Sequence, residues 1–288
     1  MAGDLHCHTR LSLGSMGIDD LIMLAKKRGI STIAITDLDC QAGTIRGRVI
    51  GERFGVSVIP GAEFSCTDPQ SGREVHMLCY LSDSPDRLEG LCHANLAARK
   101  KATQYMLMKF VQRFPVRPEL VHECARGSTC VYPQHMMRAL MESGLTEQIH
   151  GEAYQELFTE ESPRNILHRA RFPSPLEVLE AIHQSGGIAV LAHPGKDGAS
   201  RLLEELVGAG LDGVEVFHSA NSREEQKQLL ALAKDENMLV TGGSDFRGMY
   251  GMGCVSIGHE QVNDAQVSSL LSYKSRTHRA RRQQVAFG

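Results

Sequence analysis

The chain predicts an α/β barrel of the TIM-like kind with an inserted helical subdomain, on three observations. Short β-branched runs alternate with helical stretches over the first ninety residues, the rhythm is lost from about Leu88 to Phe172, and it resumes at Ser174. At 288 residues the chain has room for one large barrel or for a barrel plus an insertion.

Within residues 1–90 the expected strands are Asp4 to Thr9, Ser31 to Thr36, Val56 to Glu63 and Glu74 to Leu81. A helix from about Ile18 to Arg28 is closed by Gly29. This βαβ rhythm predicts a parallel sheet. Next, a long helix around Leu91 to Phe114 leads into pieces broken by Pro and Gly, including His135 to Ser143 and Glu152 to Phe158. Residues 91–171 are therefore expected to form a helical subdomain between the two parts of the barrel, 1–90 and 172–288. The apolar stripe from Tyr105 to Phe114 reads as packing.

Ser174-Pro175-Leu176-Glu177 restarts the barrel with an N-cap, a proline at the first helical position and a capping-box glutamate. A strand Ile188 to Ala192, a helix near Ser200 to Gly208 and a strand Val214 to Phe217 follow. A second capping box, Ser222 to Glu225, opens a helix before the strand Leu239 to Thr241. The chain then ends in a basic stretch with Lys274, Arg276, Arg279, Arg281 and Arg282, a helix end or tail.

Composition narrows the function classes. Hydrophobic residues at 42% and charged residues at 23% are ordinary globular usage, which argues against disorder and a coiled coil. Trp is absent and aromatics are few, which weakens a base-stacking surface. A formal charge of −3 gives no global attraction for nucleic acid or an anionic membrane, so an anionic substrate needs a local positive site. The eight Cys never form C-x-x-C and read as reduced thiols, with Cys7 pointing away from its histidine neighbours. No apolar run approaches a signal segment or a membrane span, and the expectation is a cytoplasmic protein.

Six residues carry metal chemistry. His6 and His8 are one residue apart on a strand, so both imidazoles face one side and suit one metal. Glu63, His76, His193 and Asp245 each fall at or near the C-terminal end of a different expected strand, the face where barrel active sites form. Each also has a plainer explanation: a loop carboxylate for Glu63, a satisfied core histidine for His76, turn architecture around His193 and a cap for Asp245. Their convergence on one mouth favours a metal cluster.

In these motifs the sequence resembles the PHP family, named for its polymerase and histidinol-phosphatase members. The resemblance rests on Asp4-Leu5-His6-Cys7-His8, Thr36-Asp37-Leu38-Asp39, Pro60-Gly61-Ala62-Glu63, Val75-His76, Ala192-His193-Pro194 and Gly243-Ser244-Asp245-Phe246. It implies a distorted (βα)7 barrel, with one ion held by His6, His8, Glu63 and Asp245 and a second by Glu63, His76 and His193. Three positions depart from the family pattern. Ser12-Leu13-Gly14 stands where the family has an acid or His, Leu38 replaces a His, and Arg247 replaces a His. Those three positions hold the family's third ion, so a two-metal version is expected.

Arg247 and Asp37 are the candidate catalytic residues: Arg247 as a phosphate-binding fork, or else paired with a neighbouring acid, and Asp37, or Asp39, as an orienting group. The cofactors expected are two divalent ions, with imidazole and carboxylate ligands admitting Mn²⁺, Zn²⁺ or Fe²⁺. The inserted segment resembles that of the family branch acting on nucleotide phosphates and RNA ends, which implies as substrate a phosphorylated small molecule, a nucleotide or the 5′ end of a short RNA or DNA, with no membrane partner. A metal- and phosphoryl-binding protein without turnover is the alternative, and an amidohydrolase-like barrel ranks below both. Glu215, His218 and Asn221 read as pocket lining or as strand-end packing. Arg99, Lys100, Lys101 and the tail arginines read as solvated charge or as a second phosphate site.

Overall fold

The computed structural model describes residues 2–196, 198–253 and 255–273. Cys254 and the basic tail lie outside the described residues. Eight strands form one sheet: β1 (Ala2–Cys7), β2 (Thr32–Ile35), β3 (Ser57–Thr67), β4 (Glu74–Tyr80), β5 (Ile188–Leu191), β6 (Gly213–Phe217), β7 (Leu239–Gly242) and β8 (Val262–Asn263). Their order is β7-β6-β5-β4-β3-β2-β1-β8. The two ends approach each other, and the sheet is a nearly closed barrel. Just past β7, Phe246 forms a parallel bridge with Cys7, and the His8 amide donates to the Phe246 carbonyl at 2.9 Å. Gly243 permits this closure, since a Cβ there would lie 2.3 Å from the His6 backbone nitrogen.

The strands alternate between two apolar environments, as period-2 side chains must. Val75, Met77 and Cys79 of β4 pack outward with Val178, Leu179 and Ile182, while Leu78 and Tyr80 pack with Leu5, Ala34, Ile59 and Val190 on the other face. The Tyr80 hydroxyl donates to the Leu5 carbonyl at 2.8 Å, tying β4 to β1. Each fully buried Leu, Ile, Val or Phe contributes about 1.5–3 kcal/mol. His76 and Glu215 lie on the same strand face as Leu78 and Tyr80, opposite to Val75, Val214 and Val216.

The outer layer consists of α1 (Ile18–Lys27), α2 (Thr44–Phe54), α7 (Pro175–Gln184), α8 (Leu203–Gly208) and α9 (Arg223–Asp235). Both capping boxes form: the Ser174 amide donates to Glu177 Oε2 at 2.7 Å, and the Ser222 amide to Glu225 Oε2 at 2.7 Å. Cys7 points outward among Leu21, Ile22 and Ile33. The seven described cysteines are buried.

The sheet is not parallel throughout. β1, β2 and β3 are parallel, as are β5, β6 and β7, but β4 runs antiparallel to β3 and to β5. Only six residues join β3 to β4, from Asp68 to Arg73, too few for a crossover helix. Asp68 instead builds a hairpin turn, accepting the Gln70 and Ser71 amides at 3.1 and 3.2 Å, and Gly72 takes a φ of +67°. His76 is therefore near the start of its strand, not its C-terminal end. The reversal of β4 brings that start to the mouth, where the Ala192 amide donates to the His76 carbonyl at 3.1 Å.

Between β4 and α7 lie α3 (Glu89–Arg113), α4 (Pro118–Cys124), α5 (Pro133–Glu142) and α6 (Glu152–Phe158). They share a core that includes Met106, Phe110, Val121, Met136, Leu140 and Leu157. Met106 and Phe110 carry the packing expected of the 105–114 stripe, whereas Tyr105 and Met108 are exposed. The segment also grips the loop after His8: the Thr129 amide donates to the Leu11 carbonyl at 2.9 Å, and Gln134 Nε2 to the Leu13 carbonyl at 3.3 Å.

Candidate metal centre

Glu63 is fully buried at the middle of the mouth. Its Oε1 lies 3.5 Å from His6 Nε2, 3.6 Å from His76 Nδ1 and 3.2 Å from His193 Nε2. Its Oε2 is 3.3 Å from His8 Nε2, and Asp245 Oδ1 is 3.1 Å from the same nitrogen and 4.0 Å from His6 Nε2. All six candidate ligands are thus brought together around one carboxylate. Two triads, His6 with His8 and Glu63, and Glu63 with His76 and His193, have ligand atoms within 4.8 Å of one another.

Three histidines have their outer nitrogen satisfied and their inner one bare. His6 Nδ1 donates to Glu215 Oε1 at 2.9 Å. The Ser12 hydroxyl gives its single proton to Asp37 Oδ1 at 2.6 Å, so His8 Nδ1, 3.2 Å away, must be the donor to Ser12 Oγ. His76 Nε2 donates to Glu74 Oε1 at 3.2 Å. In the neutral form that binds a metal each imidazole carries one proton, so each inward nitrogen then presents a lone pair. His6 Nε2, His8 Nε2, His76 Nδ1 and Glu63 Oε2 are all buried with no hydrogen-bond partner. Buried polar atoms are seldom left unpaired, and this set of nitrogen and oxygen donors fits divalent cations.

The electrostatics of the pocket also favour a cation. Burial alone would lower the His6 pKa, but the negative charges of Glu215 and Glu63 raise it well above its usual value. Burial would raise Glu63 and Asp245, yet His76 and His6 beside the first, and Arg247 beside the second, hold both well below the carboxylate range. His193 is pushed down to about 3 by burial and by the nearby Lys196 charge. His193 and Asp245 also take left-handed backbone angles, φ +27° and +47°, strain of the kind that concentrates at functional sites. The local structure fixes both: Glu215 Oε2 accepts the His193 amide at 2.9 Å, and the amides on either side of Asp245 are held by Asp4 and His6.

The remaining candidates divide by what they touch. Asp37 is engaged by the loop after His8. It is buried and accepts from the Thr9 amide, the Thr9 hydroxyl and the Ser12 hydroxyl at 2.8, 2.6 and 2.6 Å, orienting His8 through Ser12. Asp39 orients no site histidine and is bound instead by Ser65, Asn95 and Arg99. Arg247 is paired with Asp245, the plainer of its two expected states, Nε to Oδ1 and an Nη to Oδ2 at 2.7 Å each. Arg99 is neither solvated nor free, being largely buried and paired with Glu74 at 2.6 Å, while Lys100 and Lys101 are exposed.

Sequence reasoning assigned Glu215 only to lining and did not single out Glu74 or Lys196. His6, Glu215 and His218 also cluster closely, but Glu215 is already engaged by His6 and the His193 amide. The Ala220 amide donates to His218 Nδ1 at 3.0 Å, so the other nitrogen of the neutral ring carries the proton. His218 Nε2 is thus a donor, unpartnered and 3.9 Å from Asp245 Oδ2. Leu13 and Leu38 pack with Cys130 and Tyr132, so apolar side chains occupy two of the three positions that depart from the family pattern.

Comparison with known proteins agrees with this geometry. The chain is 33% identical to a phosphoribosyl 1,2-cyclic phosphate 1,2-diphosphodiesterase of Eggerthella lenta, over 87% of this chain and 96% of that protein. It is 26% identical to a 3′,5′-nucleoside bisphosphate phosphatase of Chromobacterium violaceum, covering 90% and 91% of the two chains. A crystal structure from Bifidobacterium adolescentis, provisionally described as a metal-dependent phosphoesterase, superposes with a TM-score of 0.85 at 29% identity, over 94% of this chain and 95% of that one. The sequence model of the PHP domain matches residues 4–161, and the chain belongs to the PHP family.

Proposed function

We propose that this metal-dependent phosphoesterase hydrolyses phosphomonoesters, nucleotide phosphates or oligonucleotide 5′ ends, with two divalent ions, Mn²⁺, Zn²⁺ or Fe²⁺, where the family pattern has three. The observation that carries the reading is the set of unpartnered, inward-facing donors, His6 Nε2, His8 Nε2, His76 Nδ1 and Glu63 Oε2. His6, His8, Glu63 and Asp245 would hold one ion, and Glu63, His76 and His193 the other. When bound, two such ions neutralise phosphoryl charge and acidify an attacking water. Leu13 and Leu38 argue against a third ion, because neither has a ligand atom and both are buried in an apolar cluster.

The chain's own residues supply the rest. Arg247 places a fixed positive charge beside Asp245, and the N–H of His218 Nε2 is free to meet a phosphoryl oxygen. Lys196 adds positive charge beside His193 and His218. Residues 91–171 act as a subdomain that holds the loop after His8, and with it the mouth. Among the described residues no helix is long and apolar enough to cross a membrane, and the substrate is taken to be a diffusible phosphate ester. A second reading, cleavage of a five-membered cyclic phosphate on a ribose, is favoured by the 33% identity to the Eggerthella lenta diesterase.

The test is hydrolysis by metal-loaded protein of nucleotide monophosphates, 3′,5′-bisphosphates, 5′-phosphorylated oligonucleotides and a cyclic ribose phosphate. Phosphate release from the monoesters supports the first reading; opening of the cyclic ester to a monophosphate, which frees no phosphate and is followed by chromatography, without monoester hydrolysis supports the second. Bound metal with neither phosphate release nor ring opening would leave a phosphoryl-binding protein.

A further inference from the structure

We propose that Arg99, on α3 of the inserted segment, is a positioning residue for the second ligand set, so that the inserted helices govern whether His76 can hold an ion. The inference rests on the two-ion reading above. It starts from a chain of two side-chain hydrogen bonds by which the insertion reaches a candidate ligand. Arg99 donates an Nη hydrogen to Glu74 Oε1 at 2.6 Å, and the same oxygen accepts from His76 Nε2 at 3.2 Å. With Nε2 committed as donor, His76 Nδ1 presents its lone pair 3.6 Å from Glu63 Oε1. Glu74 accepts the hydrogen bond that orients that ring, and Arg99 holds Glu74 in place.

Arg99 is itself built in. Its guanidinium lies 4.7 Å from the Phe172 ring centre and 5.7 Å from that of Tyr132, and the same Nη reaches Ser65 Oγ at 2.5 Å. The guanidinium sits between two carboxylates, Glu74 at 2.6 Å and Asp39 at 3.5 Å, which fix its position. A carboxylate oxygen held in this place can only accept, which obliges His76 to donate from Nε2; a displaced partner, or an amide that can offer its own N–H, lets the ring adopt the tautomer with Nδ1 blocked. One turn earlier on α3, Asn95 binds Asp39 Oδ1 at 2.6 Å and the Ser65 carbonyl at 3.0 Å without touching Glu74. Asn95 therefore anchors the helix, while Arg99 both anchors it and orients the ligand.

This difference supplies the control. Wild type, Arg99→Met, Arg99→Lys, Glu74→Gln and Asn95→Ala would be dialysed against a buffer of fixed free Zn²⁺, and ions per chain counted alongside a thermal melt. The expected count is two for wild type and for Asn95→Ala, the latter melting lower. Arg99→Met and Glu74→Gln should lose one ion, with affinity for the second falling about 10–100-fold, and Arg99→Lys should recover most of it. Glu74 is 34% exposed in its side chain, so its variant carries the test alone if Arg99→Met does not fold. Two ions bound with unchanged affinity in the folded Arg99→Met and Glu74→Gln proteins would overturn the role of Arg99 and leave the two-ion reading standing. Fewer than two in wild type would overturn both.

Discussion

The guanidinium of Arg247 grips both oxygens of Asp245 at 2.7 Å, in the planar, two-pronged geometry that lysine cannot reproduce. Asp245 Oδ1 simultaneously faces His8 Nε2 at 3.1 Å. One carboxylate thus stands between a candidate ion site and a permanent organic cation, at a position where the family pattern has a metal-binding His.

Replacing Arg247 by Ala separates these two roles. Asp245 keeps its charge and loses a competitor, so metal affinity should not weaken. Positive charge near the phosphoryl group is lost, and kcat/KM should fall about 100-fold, the order seen when one preorganised donor is removed. Steady-state kinetics beside a metal titration would check this; loss of metal together with activity would assign Arg247 to the metal site instead.

Glu215→Ala removes the acceptor of His6 Nδ1 and the anchor of the His193 amide in one change. The His6 ring loses its fixed tautomer and the turn at His193 loosens. Metal affinity should drop about 10–100-fold, read by competition with a chromogenic chelator. Unchanged affinity would show that the tautomer is fixed by other means.

Gly243→Ala would place a Cβ 2.5 Å from His6 Cβ and 2.8 Å from Asp4 Oδ1. The His6 atoms belong to the strand itself and Asp4 Oδ1 is fixed by the His6 and Ser244 amides, so β1 must shift. A loss of about 1–3 kcal/mol is expected, measured by urea denaturation, with reduced metal binding because His6 moves with the strand.

His135, which is not one of the candidate ligands, gives a pH dependence. Burial, and then the Arg138 charge, lower its pKa to about 4, and its Nδ1 accepts the Tyr132 amide. The folded state therefore binds fewer protons than the unfolded chain between about pH 6.5 and 4, and stability falls as pH drops through that window. His135→Gln keeps a capping acceptor and cannot be protonated there. The wild type should lose on the order of 3 kcal/mol more than this variant between pH 7 and 4; parallel stability curves would contradict the assignment.

Much of the fold was legible because its signals are local. Ser174 and Ser222 announce their helices by capping boxes, and Gly29, at φ +75°, follows α1 as expected. The β3–β4 hairpin was missed although Asp68 and Gly72 carry its turn chemistry, because the surrounding βα rhythm suggested a crossover. His6, His8, Glu63, His76, His193 and Asp245 were named from strand position and converge as expected, His76 by way of a reversed strand. Glu215 and Arg99 could not be given their roles, since their partners lie 209 and 25 residues away and only the folded barrel brings them together; Glu74, two residues from His76 on the same strand face, was open to the alternation that paired His6 with His8.

The most direct test of the central claim is to strip the protein of metal and restore Mn²⁺ or Zn²⁺ stepwise, following phosphate release against ions bound per chain. Two ions should saturate activity, as expected of a two-metal hydrolase, with none released by the stripped protein. Activity that rises until a third ion binds, or that survives stripping, would contradict the account.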